Sequence, residues 1–265
     1  MAFTLVSHKH LIGMLRMVPW RARRAIFKRR YERHINETGE AELPLLKQFV
    51  GRGDLCLDIG ANLGTYAYEL GRLTGYCVAF EPNPQLADLL CSLHLEGVEV
   101  RQLAIADSSG TAEFSVPPSR FGHALGSLKR NSDGASGAGT YLVRTARVDD
   151  LGLETVRFIK IDVEGFEEEV IDGAIETIRR DKPTLLIEIE ERQNAGGIER
   201  ISRKLGTEGY EGYFYDRQWL PLSHFDPATH QSPAFDDPAD VTGRRALRFF
   251  NNFLFVQGNI SRNLL

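Results

Sequence analysis

The chain has 265 residues, a net charge of −4, and 42% apolar and 26% charged residues, which is ordinary for a soluble globular protein with one large α/β domain or two small ones. It contains no apolar run of the roughly 18 residues that a membrane-spanning helix needs. Three cysteines, an odd number without a C-x-x-C pair, do not indicate a disulfide framework, and we expect Cys56 and Cys77 to be reduced, buried thiols.

The charge is unevenly distributed along the chain. Residues 1–34 carry nine Lys or Arg and one acid, a net charge of +8, and the remainder carries −12. The basic residues mostly follow the apolar stretch LIGMLRMVPW, which is not the order found in a secretory signal peptide. The pattern predicts a basic helix that rests on anionic lipid or an acidic partner, or that packs, solvated, on the domain's own acidic surface. The acidic body argues against nucleic acid.

We therefore expect residues 1–45 to be a basic helical extension and residues 46–265 to be the main domain. The absence of a signal sequence and of a disulfide framework predicts a cytoplasmic protein. The basic segment adds the expectation that this protein could lie at the inner face of the membrane.

From residue 54 onward, short apolar runs alternate with helical patterns. In the second helix, Asn83 is a predicted N-cap and Pro84 the first helical residue. Alternating strands and helices predict an α/β fold with a mostly parallel, doubly wound sheet. The predicted strands span 54–61, 76–82, 98–106, 157–165 and 183–191, and the predicted helices span 65–74, 84–96 and 166–178.

Three regions interrupt this alternation. Segments 111–116 and 140–148 predict an inserted hairpin around a Gly/Ser/Pro-rich loop, 117–140, whose length is typical of a functional lid or a disordered connector. A second hairpin is predicted later, followed by a Pro/Asp-rich excursion and a last strand; these span 213–222, 224–250 and 251–257.

The loop after the first strand indicates a cofactor site. In LDIGANLG, Asp58 ends the strand, and Gly60 and Gly64 let the backbone turn sharply before the next helix. Asn62 and Thr65 depart from the G-x-G-x-x-G pattern of dinucleotide-binding loops. A carboxylate at the strand tip would disfavour a pyrophosphate and favour a cationic ligand. This charge pattern points to S-adenosylmethionine.

Two further acids follow neighbouring strands. Glu81 ends the second strand, where a carboxylate can accept both hydroxyls of a ribose, although it could instead complement the following helix. Asp107 follows the third strand and could approach an adenine, or serve only as the turn residue of DSSG.

The fourth and fifth strands end in acids that are candidates for catalysis. Ligands of open α/β sheets sit beyond the carboxyl ends of the strands, so Asp162 and Glu188 should lie near the reacting centre. We expect Asp162 to be the general base or to orient the substrate, with Glu188 second and His123 of the long loop third.

Other roles for these acids stay open. Asp162 could instead cap the next helix, whose dipole the glutamates at 167–169 complement. Lys160 could pair with Asp162 or lie along the sheet. Asp162, Glu164 and Glu188 could bind a divalent metal, but their spacing matches no dedicated metal loop, so we predict no metal.

Six segments occur in the order found in FkbM-type methyltransferases: LDIGANLGTYA, AFEPNP, AIADSSGTAEF, ARVDDL, FIKIDVEGFEEEVIDGA and LLIEIE. The resemblance covers residues 54–217. It implies a Rossmann-like class I methyltransferase fold and an S-adenosylmethionine-dependent O-methyltransferase acting on a sugar, polysaccharide or glycosylated small molecule. The residues that the resemblance assigns to the cofactor are Asp58, Gly60, Asn62, Gly64 and Glu81, with Asp162 facing the methyl group.

Two rival functions are compatible with the same sequence. One is an oxidoreductase that binds NAD in the same crevice. The other is a binding protein that keeps the fold without turnover. The absence of an N-P-P-[YF] sequence argues against methylation of an exocyclic base amine.

Overall fold

A computed structural model of the protein describes residues 18–33, 35, 40–116, 127–128, 139–231 and 249–258. Within these ranges twelve strands occur: β1 Leu55–Ile59, β2 Cys77–Phe80, β3 Val98–Arg101, β4 Ala104–Ile105, β5 Gly110–Ser115, β6 Ser127–Leu128, β7 Thr140–Ala146, β8 Val156–Ile161, β9 Thr184–Glu188, β10 Tyr210–Tyr215, β11 Trp219–Pro221 and β12 Asn252–Gln257. The α-helices of the same ranges are α1 Trp20–Arg33, α2 Thr65–Thr74, α3 Pro84–Leu93, α4 Glu167–Asp172, α5 Ile175–Asp181, α6 Gly197–Thr207 and α7 Pro227–His230.

The main sheet has eight strands in the order β11-β10-β12-β9-β8-β1-β2-β3. Strands β3, β2, β1, β8 and β9 are parallel, and β12 is antiparallel to both of its neighbours. The chain builds outward from β1 to β3 and then crosses to β8 on the other side of β1. This reversal places the topological switch point between β1 and β8, where ligands of open α/β sheets bind. The predicted doubly wound sheet is confirmed.

Both faces of the sheet are buried, which explains the continuous apolar runs in its strands. On one face, Leu57, Ile159 and Leu185 pack under α4, α5 and α6. On the other face, Phe158 and Leu186 belong to a cluster that includes side chains of α1, α2 and the 3₁₀ helix Leu43–Gln48. Side chains alternate between faces along each strand, so consecutive apolar residues serve both layers. Cys56 and Cys77 are buried thiols, as predicted.

The inserted hairpin is confirmed, and it is larger than the sequence indicates. Strands β5 and β7 pair antiparallel in a second sheet of order β4-β7-β5-β6. The prediction of one strand over 98–106 is wrong, because β3 ends at Arg101 and β4 pairs with β7 instead. The main-sheet partner β2 ends at Phe80, so the chain beyond Arg101 has no further strand of the main sheet to pair with. Strand β6 lies within the predicted long loop.

The single helix predicted over 166–178 is also wrong. The chain forms α4 and α5, separated at Gly173, where an added Cβ would lie 1.9 Å from the Ala106 carbonyl oxygen. The helical pattern continues through the break because Val170, Ala174 and Ile178 all pack on the same sheet face. The second predicted helix begins as expected, with the Asn83 side chain accepting a hydrogen bond from the Gln85 N–H, but α3 ends before residue 96. The later hairpin, β10 with β11, and the last strand, β12, are confirmed.

Helix α1 lies within the predicted basic extension and packs on the main domain. Phe27 and Tyr31 are buried against it, and the Tyr31 hydroxyl donates a hydrogen bond of 2.5 Å to Glu69 Oε2. Residues 1–17, 34 and 36–39 lie outside the described ranges, so the boundary at residue 45 stays a prediction. Of the helices that the structure describes, none is both long and apolar enough to cross a bilayer.

Candidate functional site

Two adjoining clefts open at the carboxyl ends of β1, β2 and β8. They share Gly60, Asn62 and Asp162. The first cleft, together with the solvent space at its mouth, spans about 560 Å³. Its lining consists of Ile59, Gly60, Asn62, Glu81, Pro82, Leu103, Ala104, Ile105, Phe114, Leu128, Asp162, Val163, Glu164 and Phe166. The second cleft is lined by Arg30, Glu40, Asp58, Gly60, Ala61, Asn62, Leu63, Thr65, Tyr66 and Asp162.

The loop between β1 and α2 requires the residue types that the sequence has there. Gly60, Asn62 and Gly64 have φ angles of +86°, +50° and +85°, a region that Gly adopts freely and Asn tolerates. A Cβ on Gly60 would lie 1.8 Å from the Asp162 carbonyl oxygen, and one on Gly64 would lie 2.5 Å from Leu90 Cδ1. The loop therefore lies directly against β8, which brings the two strand ends together at the site.

Glu81 is buried at the end of β2, and it fixes the neighbouring loop. Its Oε2 accepts the Asn62 N–H at 2.7 Å, and its Oε1 accepts the Asn83 N–H at 2.8 Å. Burial raises the pKa of Glu81 to about 7, against the effect of these two hydrogen bonds. Because a carboxylate oxygen has more than one acceptor site, each oxygen can accept a further donor from the cleft.

Two polar atoms, one at the end of β1 and one in the loop that follows it, have no partner. Asp58 Oδ2 and Asn62 Oδ1 are buried, and neither makes a hydrogen bond with the described part of the chain. Burial raises the pKa of Asp58 to about 7, although the charge of Lys160 opposes this shift. Buried polar atoms normally have a hydrogen-bond partner, so two such atoms beside an open cleft indicate a ligand with donor groups.

Lys160 is a buried cation beneath the second cleft. It is the strand partner of Asp58 in β8, and its ammonium group donates to Asn252 Oδ1 at 3.0 Å. Its Nζ also lies 3.6 Å from Glu188 Oε2 and 4.9 Å from the ring centre of Tyr66. Burial lowers the pKa of Lys160, but the surrounding carboxylates outweigh it and raise the value. The partner proposed from the sequence was Asp162, but the ion pair within 4 Å is with Glu188.

The acids at the ends of β8 and β9 separate into two environments. Asp162 lines both clefts, and Glu164 lines the first. Burial and the nearby charge of Asp162 raise the pKa of Glu164 to about 8. Glu188 lines neither cleft, since its Oε1 accepts the Asn251 amide at 2.5 Å and its Oε2 faces Lys160. Burial raises the pKa of Glu188 well above the ordinary value.

The alternative that Asp162 caps the following helix is wrong. Helix α4 begins at Glu167, and its N-cap position is Phe166, which makes no side-chain cap. The start of the helix is instead held by Glu167, whose carboxylate accepts the Gly165 N–H at 2.7 Å and the Asn194 amide at 2.9 Å. Glu167, the first glutamate of the acidic run, therefore has a structural role, whereas Asp162 faces the clefts.

Of the other three residues predicted for the site, the structure places one in a cleft and one outside both clefts, and it does not describe the third. Thr65 lines the second cleft at the first position of α2. Asp107 is exposed, lines neither cleft, and accepts a hydrogen bond from the Ser108 hydroxyl at 3.0 Å. His123 lies outside the described residues, as does most of loop 117–140. In the described ranges, no group of three or more His, Cys, Asp or Glu side chains could hold a metal ion.

The first cleft has an apolar wall that the sequence patterns did not indicate. Phe114 of β5 and Leu128 of β6 face the cleft together with Ala104 and Ile105 of β4. The inserted sheet thus forms one side of the site. The apolar run LAIA indicates a buried segment and so partly predicts this wall. Leu128 lies in a Gly/Ser-rich stretch whose pattern predicts no buried residue.

Comparison with known proteins agrees with this architecture. The family model of the methyltransferase FkbM domain matches residues 58–218. The chain is similar to the crystal structure of methyltransferase FkbM from Methylobacillus flagellatus KT, with a TM-score of 0.50 and 15% identity, covering 78% of this chain and 44% of that one. This chain therefore spans less than half the length of that protein. No curated protein matches the sequence.

Two further solved structures are similar at lower scores. One is precorrin-6y C5,15-methyltransferase from Geobacter metallireducens GS-15, with a TM-score of 0.40 and 16% identity, covering 67% of this chain and 74% of that one. The other is SMU.1697c from Streptococcus mutans, solved in complex with SAH, with a TM-score of 0.44 and 10% identity, covering 81% of this chain and 94% of that one. The predicted Rossmann-like class I methyltransferase fold is confirmed.

Proposed function

Because the chain belongs to the methyltransferase FkbM domain family, we propose that it transfers a methyl group from S-adenosylmethionine to a hydroxyl of a sugar, a polysaccharide or a glycosylated small molecule. One observation carries the cofactor assignment. The ends of β1 and β2 and the loop after β1 together present a buried acceptor pair on Glu81 and two unpartnered oxygens, Asp58 Oδ2 and Asn62 Oδ1, at adjoining clefts.

The residues present fit this cofactor part by part. The carboxylate of Glu81 suits the two hydroxyls of a ribose, and the apolar wall at Ile105, Phe114 and Leu128 suits a flat adenine. Asp58 and Asp162 place negative charge in the second cleft, where an ammonium and a sulfonium would be stabilised. The unpartnered Asp58 Oδ2 gives the ammonium a buried acceptor.

When bound, S-adenosylmethionine supplies a methyl group on a positively charged sulfur. The part of the protein is to hold the acceptor hydroxyl in line and to remove its proton. Asp162 lines both clefts, and we assign it the role of the base that accepts this proton. Glu164, with a pKa of about 8, is mostly protonated at neutral pH and donates a hydrogen bond to the acceptor.

The same two acids support a carbohydrate acceptor. A polyhydroxyl ligand needs several acceptors and donors at one place, and Asp162 and Glu164 offer both kinds beside the first cleft. Glu188, the second base candidate predicted from the sequence, is directed at Lys160 and Asn251, so we assign the second role at the acceptor to Glu164.

Methyl transfer is tested by incubating the protein with isotopically labelled S-adenosylmethionine and a polysaccharide or metabolite extract. Mass spectrometry should find label on a hydroxyl oxygen of a carbohydrate. Asp162→Asn should reduce the rate at least about 100-fold, as loss of a general base does. The matched control is Asp172→Asn, because Asp172 is an exposed partner of Lys204. An unchanged rate in Asp162→Asn would remove Asp162 as the base.

Calorimetry separates the proposal from its rivals. The protein should bind S-adenosylmethionine and not NAD. Tight NAD binding without S-adenosylmethionine binding would instead show an oxidoreductase. Binding without label transfer to any acceptor in a broad extract would favour a protein that keeps the fold without turnover.

We also propose that the basic N-terminal segment contacts anionic lipid. Phe27 and Tyr31 of helix α1 pack against the domain. Trp20 and Ile26 of the same helix are exposed, beside its arginines. Exposed apolar side chains next to basic ones suit an interfacial helix. The full chain should co-sediment with vesicles of phosphatidylserine and phosphatidylcholine at low salt. Equal sedimentation without vesicles, or none with them, would leave α1 as a solvated helix.

A further inference from the structure

Arg30 is a cation at the second cleft that belongs to no predicted site. It lies near the end of α1, before the residues that the family model matches, and it lines the cleft together with Asp58 and Asp162. Arg30 is an exposed residue, although partial burial of its guanidinium lowers its pKa, and it forms no hydrogen bond or ion pair with any described residue. A guanidinium with five donors is therefore available to a ligand in this cleft.

The lining of the second cleft contains more acidic than basic side chains. Among the described residues of its lining, Arg30 is the single cation, and the acids are Glu40, Asp58 and Asp162. The methionyl end of S-adenosylmethionine has the opposite pattern, with two cations, its ammonium and its sulfonium, and one anion, its carboxylate. The lining therefore has more acids than bases, as the methionyl group has more cations than anions, and Lys160 beneath the lining is already paired with Glu188.

We propose that Arg30 binds the α-carboxylate of S-adenosylmethionine, while Asp58 takes the ammonium. This assignment rests on the proposed cofactor and adds a binding residue from outside the family domain. A planar guanidinium is well suited to a carboxylate because it can donate two parallel hydrogen bonds. The N-terminal helix then completes the cofactor site instead of only packing against it.

An anionic acceptor is the other ligand that Arg30 could attract. The acids of the second cleft oppose it, because a phosphate or a sugar carboxylate placed there would meet Asp58 and Asp162 with no cation besides Arg30 in the described lining. The methionyl group brings its own two positive charges to these acids. For this reason the cofactor carboxylate fits better than an anionic acceptor.

The test compares two ligands that differ by one carboxylate. Calorimetry measures the affinity of the full-length protein for S-adenosylmethionine and for decarboxylated S-adenosylmethionine, which lacks the carboxylate and keeps the amine and the sulfonium. The parent protein should bind the complete cofactor about 10- to 100-fold more tightly, the range of a charged hydrogen-bonded pair. In Arg30→Gln this difference should disappear, because only the affinity for the complete cofactor falls.

Two further variants make the result specific. Arg30→Lys should keep part of the difference in affinity between the two ligands, since lysine retains the charge but cannot form the bidentate hydrogen bonds of a guanidinium. Arg29→Gln is the control, because Arg29 is an exposed neighbour on the same helix that does not line the cleft. Its affinities for both ligands should equal those of the parent.

Several outcomes would overturn the assignment. Equal loss of both ligands in Arg30→Gln would mean that Arg30 acts through the fold or through general charge. No loss of either would mean that it does not contact the cofactor. A changed Michaelis constant for the acceptor alone would move Arg30 to the acceptor site. If the parent binds no S-adenosylmethionine, the proposed function fails, and this assignment fails with it.

Discussion

Lys160 and Glu188 lie on adjacent strands with 3.6 Å between Nζ and Oε2, and the lysine is completely shielded from solvent. Asp58 is the strand partner of Lys160 and Asn252 is that of Glu188, so polar side chains of β1, β8, β9 and β12 lie together. A buried lysine persists only where nearby groups compensate its charge. Here the compensating acids also lie at the end of the sheet where we place the cofactor. The contribution of Lys160 to the stability of the fold therefore depends on whether these acids are charged.

Removing Lys160 should destabilise the protein in a pH-dependent way. We expect Lys160→Met to lower the free energy of unfolding by about 3 to 5 kcal/mol at pH 8, because it leaves charged acids buried without their cation. The loss should be smaller at pH 5.5. The pKa of Asp58 is already raised to about 7, and without the lysine it rises further, so at pH 5.5 the acid is neutral and needs no cation.

Chemical denaturation at both pH values checks this prediction. Lys204→Met is the control, because Lys204 pairs with Asp172 at the surface and should cost less than about 1 kcal/mol. A loss for Lys160→Met that does not change between pH 5.5 and pH 8 would show that the effect is due to packing alone.

Gly60→Ala should be much more damaging than Gly53→Ala. Both glycines have φ near +90°, so each substitution carries about 1 to 2 kcal/mol of backbone strain. The added Cβ meets nothing within 4 Å at Gly53, but at Gly60 it would lie 1.8 Å from the Asp162 carbonyl oxygen. Thermal unfolding should therefore show a clearly larger loss for Gly60→Ala, and calorimetry should show lost S-adenosylmethionine binding. Equal losses would mean that the loop can move away from β8.

Glu81→Gln should weaken S-adenosylmethionine binding by about 10- to 100-fold, the range of hydrogen bonds to a charged group. An amide has one oxygen where the carboxylate has two, and both carboxylate oxygens already accept backbone N–H groups. Titration calorimetry measures the effect, with Glu99→Gln on the exposed face of β3 as the control. An unchanged affinity would place the ribose elsewhere.

Cofactor affinity should pass through a maximum between about pH 7 and pH 8. Asp58 and Glu81 have pKa values of about 7, so both become charged as the pH rises through this value, and binding improves. Above about pH 8 the ammonium of the cofactor loses its proton, since α-amino groups titrate near this value, and binding weakens. 5′-Methylthioadenosine, which has no ammonium, should show the rise without the fall. A flat profile from pH 6 to pH 9 would contradict the proposed charge pairing.

Sequence patterns predicted a structural feature correctly where the residues that determine it lie within one short segment. The positive φ angles at Gly60, Asn62 and Gly64 follow from residue type, and the N-cap at Asn83 follows from its side chain and Pro84. The breaks at Arg101 and Gly173 were missed because each depends on another segment. The first depends on the length of β2, and the second on the backbone of Ala106.

The alternation of strands and helices, the turning loop and the acids at the strand ends could all be predicted from local sequence, because side-chain periodicity and backbone preference act over a few residues. Which acids face a cleft, and which pair with Lys160, follows from the packing of distant segments. Those contacts join residues far apart in the chain, such as Lys160 and Asn252, which are 92 positions apart. The place of Arg30 at the cleft that Asp58 also lines depends likewise on how α1 packs against the domain, which no local pattern encodes.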